Sequence, residues 1–321
     1  MSRLRSYEIT RFVPIYLGYS FAALRLKLHT TPTWFDGSLE ANHSAFLAFV
    51  GTNNEQSRIF QWLIPEFLHR AGLSVASAYG LQRYVFVAIA LTLFHVFCRR
   101  WLSPMASFAA VSVFVALLPM TARNDLQESL PLLLVVFLVG LWCIREGWDL
   151  ALAAVVLIGV LVNETMLILA VAYVFVRWSP IADHAQLFTT MRRGLLIFAP
   201  ALAIWLLVRY ATRDNPHLGG DVLRIIANIN DRRAYAEVLG IYGVFWLYAV
   251  LAYRRLPYFL KRTLWLVPFF IAANAVTGII TETRQLLPLA YIVLPSALLY
   301  LFPVQLTDMR SPSVTAPINP R

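Results

Sequence analysis

The polar residues of this chain gather in four short groups, each beside an apolar stretch. Carboxylates one helical turn apart could take up a proton, and arginine offers a planar set of donors that suits a phosphate. The four groups are Asp36 with Glu40; Arg123, Asn124, Asp125 and Glu128; Asn163 with Glu164; and Glu282, Arg284 and Gln285. The chemistry they suggest is acid–base work next to an anionic ligand.

Two of these groups carry the sharpest hypotheses, and each has a plainer alternative. Asp36 is a candidate general base with Glu40 as its partner, but Asp-Gly-Ser is equally typical of a helix cap and turn. Arg284 is the best candidate for an anion, because the chain has only two lysines. It could instead form an ion pair with Glu282 that fixes a helix hairpin.

Composition identifies the elements that must position these groups. Hydrophobic residues make up 59% of the 321 residues and charged residues 14%, with a mean hydropathy of +0.65. Soluble domains are nearer half apolar and a quarter charged. These values exclude a soluble enzyme, a disordered chain and a disulfide-stapled secreted module, and they predict an all-α, polytopic membrane protein.

A bilayer crossing needs about 20 mostly apolar residues. The sequence predicts about ten crossings, at 9–27, 77–98, 104–121, 130–145, 149–162, 165–178, 193–211, 236–253, 264–281 and 285–302. They form one transmembrane domain over 1–303, with long outer loops at 29–76 and 212–235 and a cytoplasmic tail at 304–321 that we expect to be disordered. Short helices around 44–50 and 58–71 are expected to lie in the interface plane.

The charges sort by face once these crossings are drawn. One face carries 15 basic and five acidic residues, and the other carries 12 of each. Because cytoplasmic loops collect Lys and Arg, we assign the first face to the cytoplasm, together with both termini. This predicts a multi-pass protein of the cell (inner) membrane, begun by an uncleaved anchor, with its polar groups facing the periplasm or exterior. The charge excess thereby needs no nucleic acid partner.

The pair 149–162 and 165–178 is one long apolar run interrupted by Asn163-Glu164. A hairpin keeps Arg145 and Arg177 on one face, whereas a single helix would separate them, so we favour the hairpin. Glu164 then lies at its tip, where it needs a cation partner or a function. Since four polar groups lie at a common depth, we expect them to share one cavity.

Cysteines and histidines suggest neither a disulfide nor a metal site. Cys98 and Cys143 both fall near inner helix ends, so we expect free thiols. His43, His69 and His217 lack the spacing of a metal-binding motif. We expect no cofactor; a divalent metal is possible chemically but has no support in the sequence.

The arrangement resembles the C-type (GT-C) superfamily of polytopic membrane glycosyltransferases. The resemblance rests on an acid after the first span (Asp36), interfacial helices in that loop, an acid at the tip of a short hairpin (Glu164), and an Arg before a Pro at a late span (Arg284 and Pro288). It is a resemblance of architecture more than of motif. Asp36 lacks the adjacent acid of the usual pair, and no large soluble domain follows the last span.

This resemblance implies transfer of a sugar from a polyprenyl-phosphate donor to a glycan or lipid acceptor. Asp36, with Glu40, would take the acceptor proton, and Arg284, with Arg123 or Arg58, would hold the leaving phosphate. Glu164 would orient an arginine or a sugar hydroxyl, and Trp34 and Trp62 would stack on sugar or prenyl chain. The remaining binding candidates are Asp125, Glu128, Glu282 and Gln285.

Two other functions fit the same sequence. A transporter or flippase for a lipid-linked or anionic solute would use the same cavity and arginines without chemistry. The break near an outer face and the lack of a visible repeat favour the enzyme. A structural subunit of a membrane complex, docking partners through its polar outer loops, is the third reading.

Overall fold

The computed structural model describes residues 3–31, 36–122, 128–178, 184–216 and 224–302. Within these ranges all regular structure is helical. The first eight helices are α1 (Arg3–Thr30), α2 (Ser38–Leu47), α3 (Asn53–Gln56), α4 (Ile59–Arg70), α5 (Val75–Cys98), α6 (Pro104–Ala122), α7 (Leu130–Glu146) and α8 (Asp149–Gly159). The other eight are α9 (Leu169–Arg177), α10 (His184–Ala211), α11 (Ile225–Asn230), α12 (Arg232–Tyr242), α13 (Val244–Ala252), α14 (Tyr258–Thr263), α15 (Leu266–Thr277) and α16 (Ala290–Leu301).

The all-α prediction is confirmed for the described residues, whereas the count of about ten crossings is not. Four helical stretches are long and apolar enough to cross a membrane: Val75–Cys98, Ala185–Ala211, Tyr258–Val276 and Thr283–Leu301. A bent pair, α12 with α13, gives a fifth if it is one span, with a bend of 63°. Gly243 breaks this pair, since it adopts a φ of +48° that side chains rarely allow.

The core is built around α16 and α5. Every residue from 290 to 299 of α16 is buried, and the helix packs along α13 and against α6. Helix α5 lies between α1 and α7, and α8 lies between α7 and α10. By contrast α10 exposes several leucines, including Leu195, Leu196 and Leu207. An apolar surface of this kind is suited to lipid contact.

The predicted hairpin between 149 and 178 is confirmed. Helix α8 ends at Gly159, a 3-10 turn covers Glu164–Ile168, and α9 returns the chain. The Tyr173 hydroxyl donates to Asp149 at 3.1 Å, and an Arg177 guanidinium nitrogen lies 3.5 Å from the same carboxylate, so the two helices are antiparallel. A Cβ at Gly159 would stand 2.7 Å from the Met166 side chain, so the close return favours glycine.

The segment between α1 and α5 forms short helices. Helix α4 matches the stretch predicted at 58–71, whereas α2 begins six residues before the stretch predicted at 44–50, and α3 was not predicted. Helix α4 buries one face that includes Gln61, Trp62 and Glu66. The turn after α2 places Phe49 at a φ of 58°, in the left-handed region. The Asn215 amide, just after α10, donates to the carbonyls of Phe49 and Gly51 at 3.0 and 2.8 Å. This turn is therefore fixed to the end of α10.

Helices α1 and α5 are antiparallel and are tied at both ends by polar groups. At one end Glu8 accepts hydrogen bonds from His95 at 2.9 Å and from Arg99 at 2.6 Å. The other ring nitrogen of His95 bonds the Tyr16 hydroxyl at 2.6 Å. At the opposite end Lys27 of α1 and Arg83 of α5 share one carboxylate, described below.

Candidate functional site

Glu164 at the hairpin tip binds two arginines from distant parts of the chain. Arg58, at the start of α4, donates to both carboxylate oxygens at 2.8 and 3.2 Å across 106 residues of sequence. Arg209, in the last turns of α10, approaches the same carboxylate at 3.6 Å. The Asn163 side chain caps the 3-10 turn by accepting from the Thr165 amide at 2.9 Å, which fixes Glu164 in place.

These arginines keep Glu164 ionised. Burial on its own would raise the pKa of Glu164, but the charge and hydrogen bonds of Arg58, with the charge of Arg209, lower it to about 2 from 4.5. Burial opposes the charged form of Arg58 as well, and Glu164 outweighs it, so the pKa of Arg58 is raised. Two cations on one carboxylate leave a positive excess that could attract an anion.

A second acid, Glu128, joins two buried cations. The Lys27 ammonium lies 3.1 Å from one carboxylate oxygen, and the Arg83 guanidinium lies 3.1 Å from the other. All three side chains are less than 10% exposed. A cavity of about 20 Å³ lies beside Lys27 and Arg83, and it has room for about one water molecule.

A third group precedes α16, in the 3-10 turn Thr283–Leu289. Arg284 is 5% exposed and donates to Glu282 at 2.7 Å, while the Gln285 amide donates to the same oxygen at 2.9 Å. The ion pair that the sequence offered as the alternative for Arg284 is therefore present. It does not preclude ligand binding, because a phosphate could share or replace the Glu282 carboxylate.

Glu55, which sequence reasoning missed, lies within electrostatic reach of all three groups. Burial raises its pKa, the charges of Arg58 and Arg284 and a hydrogen bond from Thr52 oppose that rise, and the charge of Glu128 adds to it. The Thr52 hydroxyl donates to it at 3.1 Å. Its spacing three residues before Arg58 was the available signal, but a lone acid in a polar loop gave no reason to select it.

These groups form one charged cluster, since the charges of Glu55 and Glu282 also act on Arg58. The cluster draws five cations and four acids from the segment between α2 and α4, from α1, α5 and α10, from the turn before α7, from the hairpin tip and from the turn before α16. Its members are Lys27, Glu55, Arg58, Arg83, Glu128, Glu164, Arg209, Glu282 and Arg284.

Asp36 and Glu40, the predicted catalytic pair, have different surroundings from the charged cluster. Both carboxylates are exposed. Asp36 accepts from the Ser38 amide at 2.9 Å, and this bonding to Ser38 lowers the pKa of Asp36. Within the described ranges neither residue hydrogen-bonds or ion-pairs with the charged cluster. The local bond of Asp36 is the capping geometry that the sequence offered as its alternative role.

The remaining candidates divide into buried residues and residues outside the described ranges. Trp62 is 5% exposed, and the edge of one ring meets the face of the other where it packs on Phe49, at 5.9 Å. The Trp62 indole is therefore almost wholly enclosed by the protein. Trp34, Arg123 and Asp125 lie outside the described residues.

The histidines and cysteines of the described ranges bind no obvious metal. His43 hydrogen-bonds the Tyr79 hydroxyl at 3.1 Å and Glu66 at 3.0 Å, while a ring nitrogen of His69 lies 2.7 Å from the Leu73 carbonyl oxygen. His217 lies outside those ranges. Where the structure describes the chain, it groups no three His, Cys, Asp or Glu side chains for a metal. Cys98 and Cys143 are free and buried, as predicted.

An apolar groove adjoins this region, with a volume of about 460 Å³. It lies between α1 and α5, the helices that carry Lys27 and Arg83. Its lining is formed by Phe21, Leu24, Leu28, Ala76, Ser77, Gly80, Leu81 and Tyr84.

No protein-family model matches the sequence, and neither a curated protein nor a solved structure shows significant similarity to it. The resemblance to C-type glycosyltransferases therefore rests on the residues described above.

Proposed function

We propose that this chain is a membrane glycosyltransferase that moves a sugar from a polyprenyl-phosphate donor to an acceptor hydroxyl at the charged cluster. The observation that carries the proposal is the meeting of Arg58 and Arg209, from separate segments, at the Glu164 carboxylate. Arg284 is held by Glu282, whose charge also acts on Arg58. Arginine suits a phosphate because its planar donors match the phosphate oxygens. Fixed cations also stabilise the charge that grows on a leaving phosphate.

Glu55, three residues before Arg58 in the sequence, accepts a hydrogen bond from Thr52 and is the general base that we propose for such a transfer. A base should have a pKa nearer the working pH than an ordinary carboxylate, and burial raises the pKa of Glu55. The acceptor hydroxyl would lose its proton to Glu55 as its oxygen bonds to the anomeric carbon of the sugar. The bond from that carbon to the phosphate oxygen breaks, and polyprenyl phosphate leaves with the electron pair. Asp36, the base expected from the sequence, has a lowered pKa instead.

The groove between α1 and α5 supports a lipid-linked donor. Its lining is apolar apart from Ser77 and the Tyr84 hydroxyl, and it lies on the helices that carry two cations of the cluster. A prenyl chain lying in the groove would leave its phosphate free to reach that end of α1 and α5.

We also propose the finer membrane topology: about ten crossings of the inner membrane, both termini cytoplasmic, and the cluster facing the periplasm or exterior. Among the described residues, each ion pair of Lys or Arg with a carboxylate joins two groups assigned to the same face. Examples are Arg99 with Glu8 on the inner face and Arg58 with Glu164 on the outer face. Shorter helices such as α8, at about 16 Å, would cross only as part of the packed bundle.

The first test is binding of polyprenyl phosphate, the expected leaving product, to purified protein in nanodiscs. We expect saturable binding that polyprenol, which lacks the phosphate, does not show. Arg58→Lys should weaken this binding about 10- to 100-fold, because Lys keeps the charge but loses the bidentate geometry. Arg232→Lys, at an exposed arginine, is the matched control. Equal affinity for the phosphate and the alcohol would refute the proposal.

The second test separates the enzyme from a flippase and Glu55 from Asp36. With a panel of polyprenyl-phosphate hexoses and pentoses, Glu55→Gln should lower transfer by about 10²- to 10⁴-fold while polyprenyl-phosphate binding persists. Asp36→Asn and Glu40→Gln should transfer normally. If only Asp36→Asn lost sugar transfer, Asp36 and not Glu55 would be the general base. Lipid translocation without sugar transfer in the wild type would establish the flippase.

A further inference from the structure

The interface between α4 and α5 is unusually polar for the interior of a membrane protein. Gln61 and Glu66 lie on the buried face of α4, and Tyr79, Gln82 and Arg83 lie on one face of α5. Helical spacing places 79, 82 and 83 together, since residues three and four apart share a face. The two helices meet where the side-chain amide of Gln82 donates to the backbone carbonyl oxygen of Gln61 at 3.4 Å.

Two side-chain oxygens in this interface have no hydrogen-bond partner. Gln61 and Gln82 are each 3% exposed, and the Oε1 atom of each is buried without a donor. The indole nitrogen of neighbouring Trp62 is also buried without an acceptor. Each such orphan is costly, and unsatisfied groups in a native protein call for a ligand or water that supplies the missing bond.

Apart from the Trp62 indole nitrogen, the other polar side chains named in this interface each have a partner. Glu66 and Tyr79 are joined through His43, at 3.0 and 3.1 Å. Arg58, one turn before Gln61, binds Glu164, and Arg83, next to Gln82, binds Glu128. Within this interface, the missing donors are thus confined to the glutamine pair, and each glutamine is within one helical turn of a cationic member of the charged cluster along its own helix.

We infer that Gln61 and Gln82 form a subsite for the hydroxyl groups of a phosphorylated polyol. Hydroxyls supply the donors that both amide oxygens lack, and a phosphate on the same molecule would reach the arginines. Sugar phosphates and polyol phospholipid headgroups share this chemistry. The sugar-phosphate version rests on the proposed function, whereas the phospholipid version does not.

The test begins with thermal unfolding of the unliganded protein, which requires no activity. Gln61→Met removes an orphaned side-chain oxygen at similar volume, and we expect the midpoint of thermal unfolding to rise by about 2–4 °C. Gln82→Met also removes the bond to the Gln61 backbone carbonyl, so its midpoint should change less. Gln56→Met is the matched control, because Gln56 is fully buried and bonds both Phe46 and Gly51. The thermal midpoint of Gln56→Met should fall, because this substitution removes hydrogen bonds that are present. A fall in Gln61→Met as well would show that its side-chain oxygen is already satisfied, and it would overturn the inference.

Binding is then compared within two pairs of lipids. The pairs are polyprenyl-phosphate glucose with polyprenyl phosphate, and phosphatidylinositol with phosphatidic acid. In at least one pair, the wild type should prefer the polyol-bearing member, and Gln61→Met and Gln82→Met should reduce that preference about tenfold. The polyol-free member should bind the variants as it binds the wild type.

The outcomes separate this inference from the proposed function. A glutamine-dependent preference in the phosphatidylinositol pair alone supports the subsite and counts against the glycosyl donor. Binding of polyprenyl phosphate with no glutamine-dependent preference in either pair keeps the proposed function and overturns the subsite. Failure of all four lipids to bind overturns both.

Discussion

Two hydrogen-bonded chains of the same four residue types lie near opposite ends of α5. In each, an arginine bonds a glutamate, the glutamate bonds a histidine ring nitrogen, and the other ring nitrogen bonds a tyrosine hydroxyl. One chain, near the start of α5, is Arg70–Glu66–His43–Tyr79, and the other, near its end, is Arg99–Glu8–His95–Tyr16. We call them the outer and the inner chain after the faces to which the proposed topology assigns them. Their surroundings differ, which shows that the same four residue types in the same bonding pattern do not by themselves determine a role.

The inner chain is enclosed by aromatic rings, whereas the outer chain adjoins the charged cluster. The Phe12 ring centre lies 4.9 Å from that of His95, and Phe108 stacks on Phe12 at 5.2 Å. The charges of Glu128 and Glu55 instead act on the Tyr79 hydroxyl. The same bonding pattern is therefore a helix tie at one end and a neighbour of a candidate ligand site at the other.

The largest contrast is expected from removing one acid near each end. Glu128→Gln takes the shared carboxylate from two buried cations and should cost about 3–5 kcal/mol. Glu8→Gln should cost about 1–3 kcal/mol, because Arg99 is 23% exposed and also donates to the Leu102 carbonyl. Chemical unfolding in mild detergent measures both. An equal loss of unfolding free energy in the two variants would mean that both carboxylates are equally shielded from water.

Removing the tyrosine hydroxyls should affect both chains alike. Tyr79→Phe and Tyr16→Phe each leave a buried histidine nitrogen without its partner, which should cost about 1–3 kcal/mol. The same unfolding assay applies, with Tyr235→Phe as an exposed control. A markedly larger loss for Tyr79→Phe would show that Glu55 and Glu128 make the outer hydroxyl a stronger tie than its geometry implies.

Acid should weaken the outer chain through Glu66. Hydrogen bonds from Arg70 and His43 lower the pKa of Glu66 in the folded protein. A lowered pKa stabilises the fold fully above the unfolded value of 4.5, and this contribution is lost as the pH falls through the folded pKa. Between about pH 6 and pH 3, the wild type should lose more stability than Glu66→Gln, whose side chain does not titrate. Parallel curves would contradict this assignment.

The smallest contrast lies at the arginine ends. Arg70 is 76% exposed and pairs with Glu66 four residues away, so Arg70→Ala should cost at most about 0.5 kcal/mol. Arg99→Ala removes a less exposed side chain bonded to both Glu8 and the Leu102 carbonyl, and it should cost more. Thermal midpoints of the two variants give the comparison. The reverse order would mean that the outer arginine is held by contacts other than Glu66.

The sequence predicted the class of fold better than the lengths of its helices. Continuous apolar runs require helices, and the polar pair Asn163-Glu164 marked the hairpin turn correctly. Breaks inside apolar runs were not visible, because Gly243 interrupts the predicted span 236–253 through its backbone conformation and not through polarity. Hydropathy measures what a segment contains, and such a bend depends on how the segment packs.

The site was foreseen in part. Glu128, Glu164, Glu282 and Arg284 were selected because polar residues at helix ends stand out against apolar neighbours, and Arg58 was named only through the family resemblance. Glu55, Lys27, Arg83 and Arg209 were missed because each is a single charge, and its partner lies elsewhere in the sequence. Pairing such as that of Arg58 with Glu164, 106 residues apart, is a property of the fold. No window of sequence displays it.

The contact made by Asn215 has a mechanical consequence. Its amide pins two carbonyls of the turn between α2 and α3, at 3.0 and 2.8 Å, and it follows directly on the helix that carries Arg209. The segment with Glu55 and Arg58 is therefore tied to the end of α10, and we expect the two to move together. A rearrangement that admits a bulky substrate would then move this turn together with the end of α10, or open the charged cluster on another side.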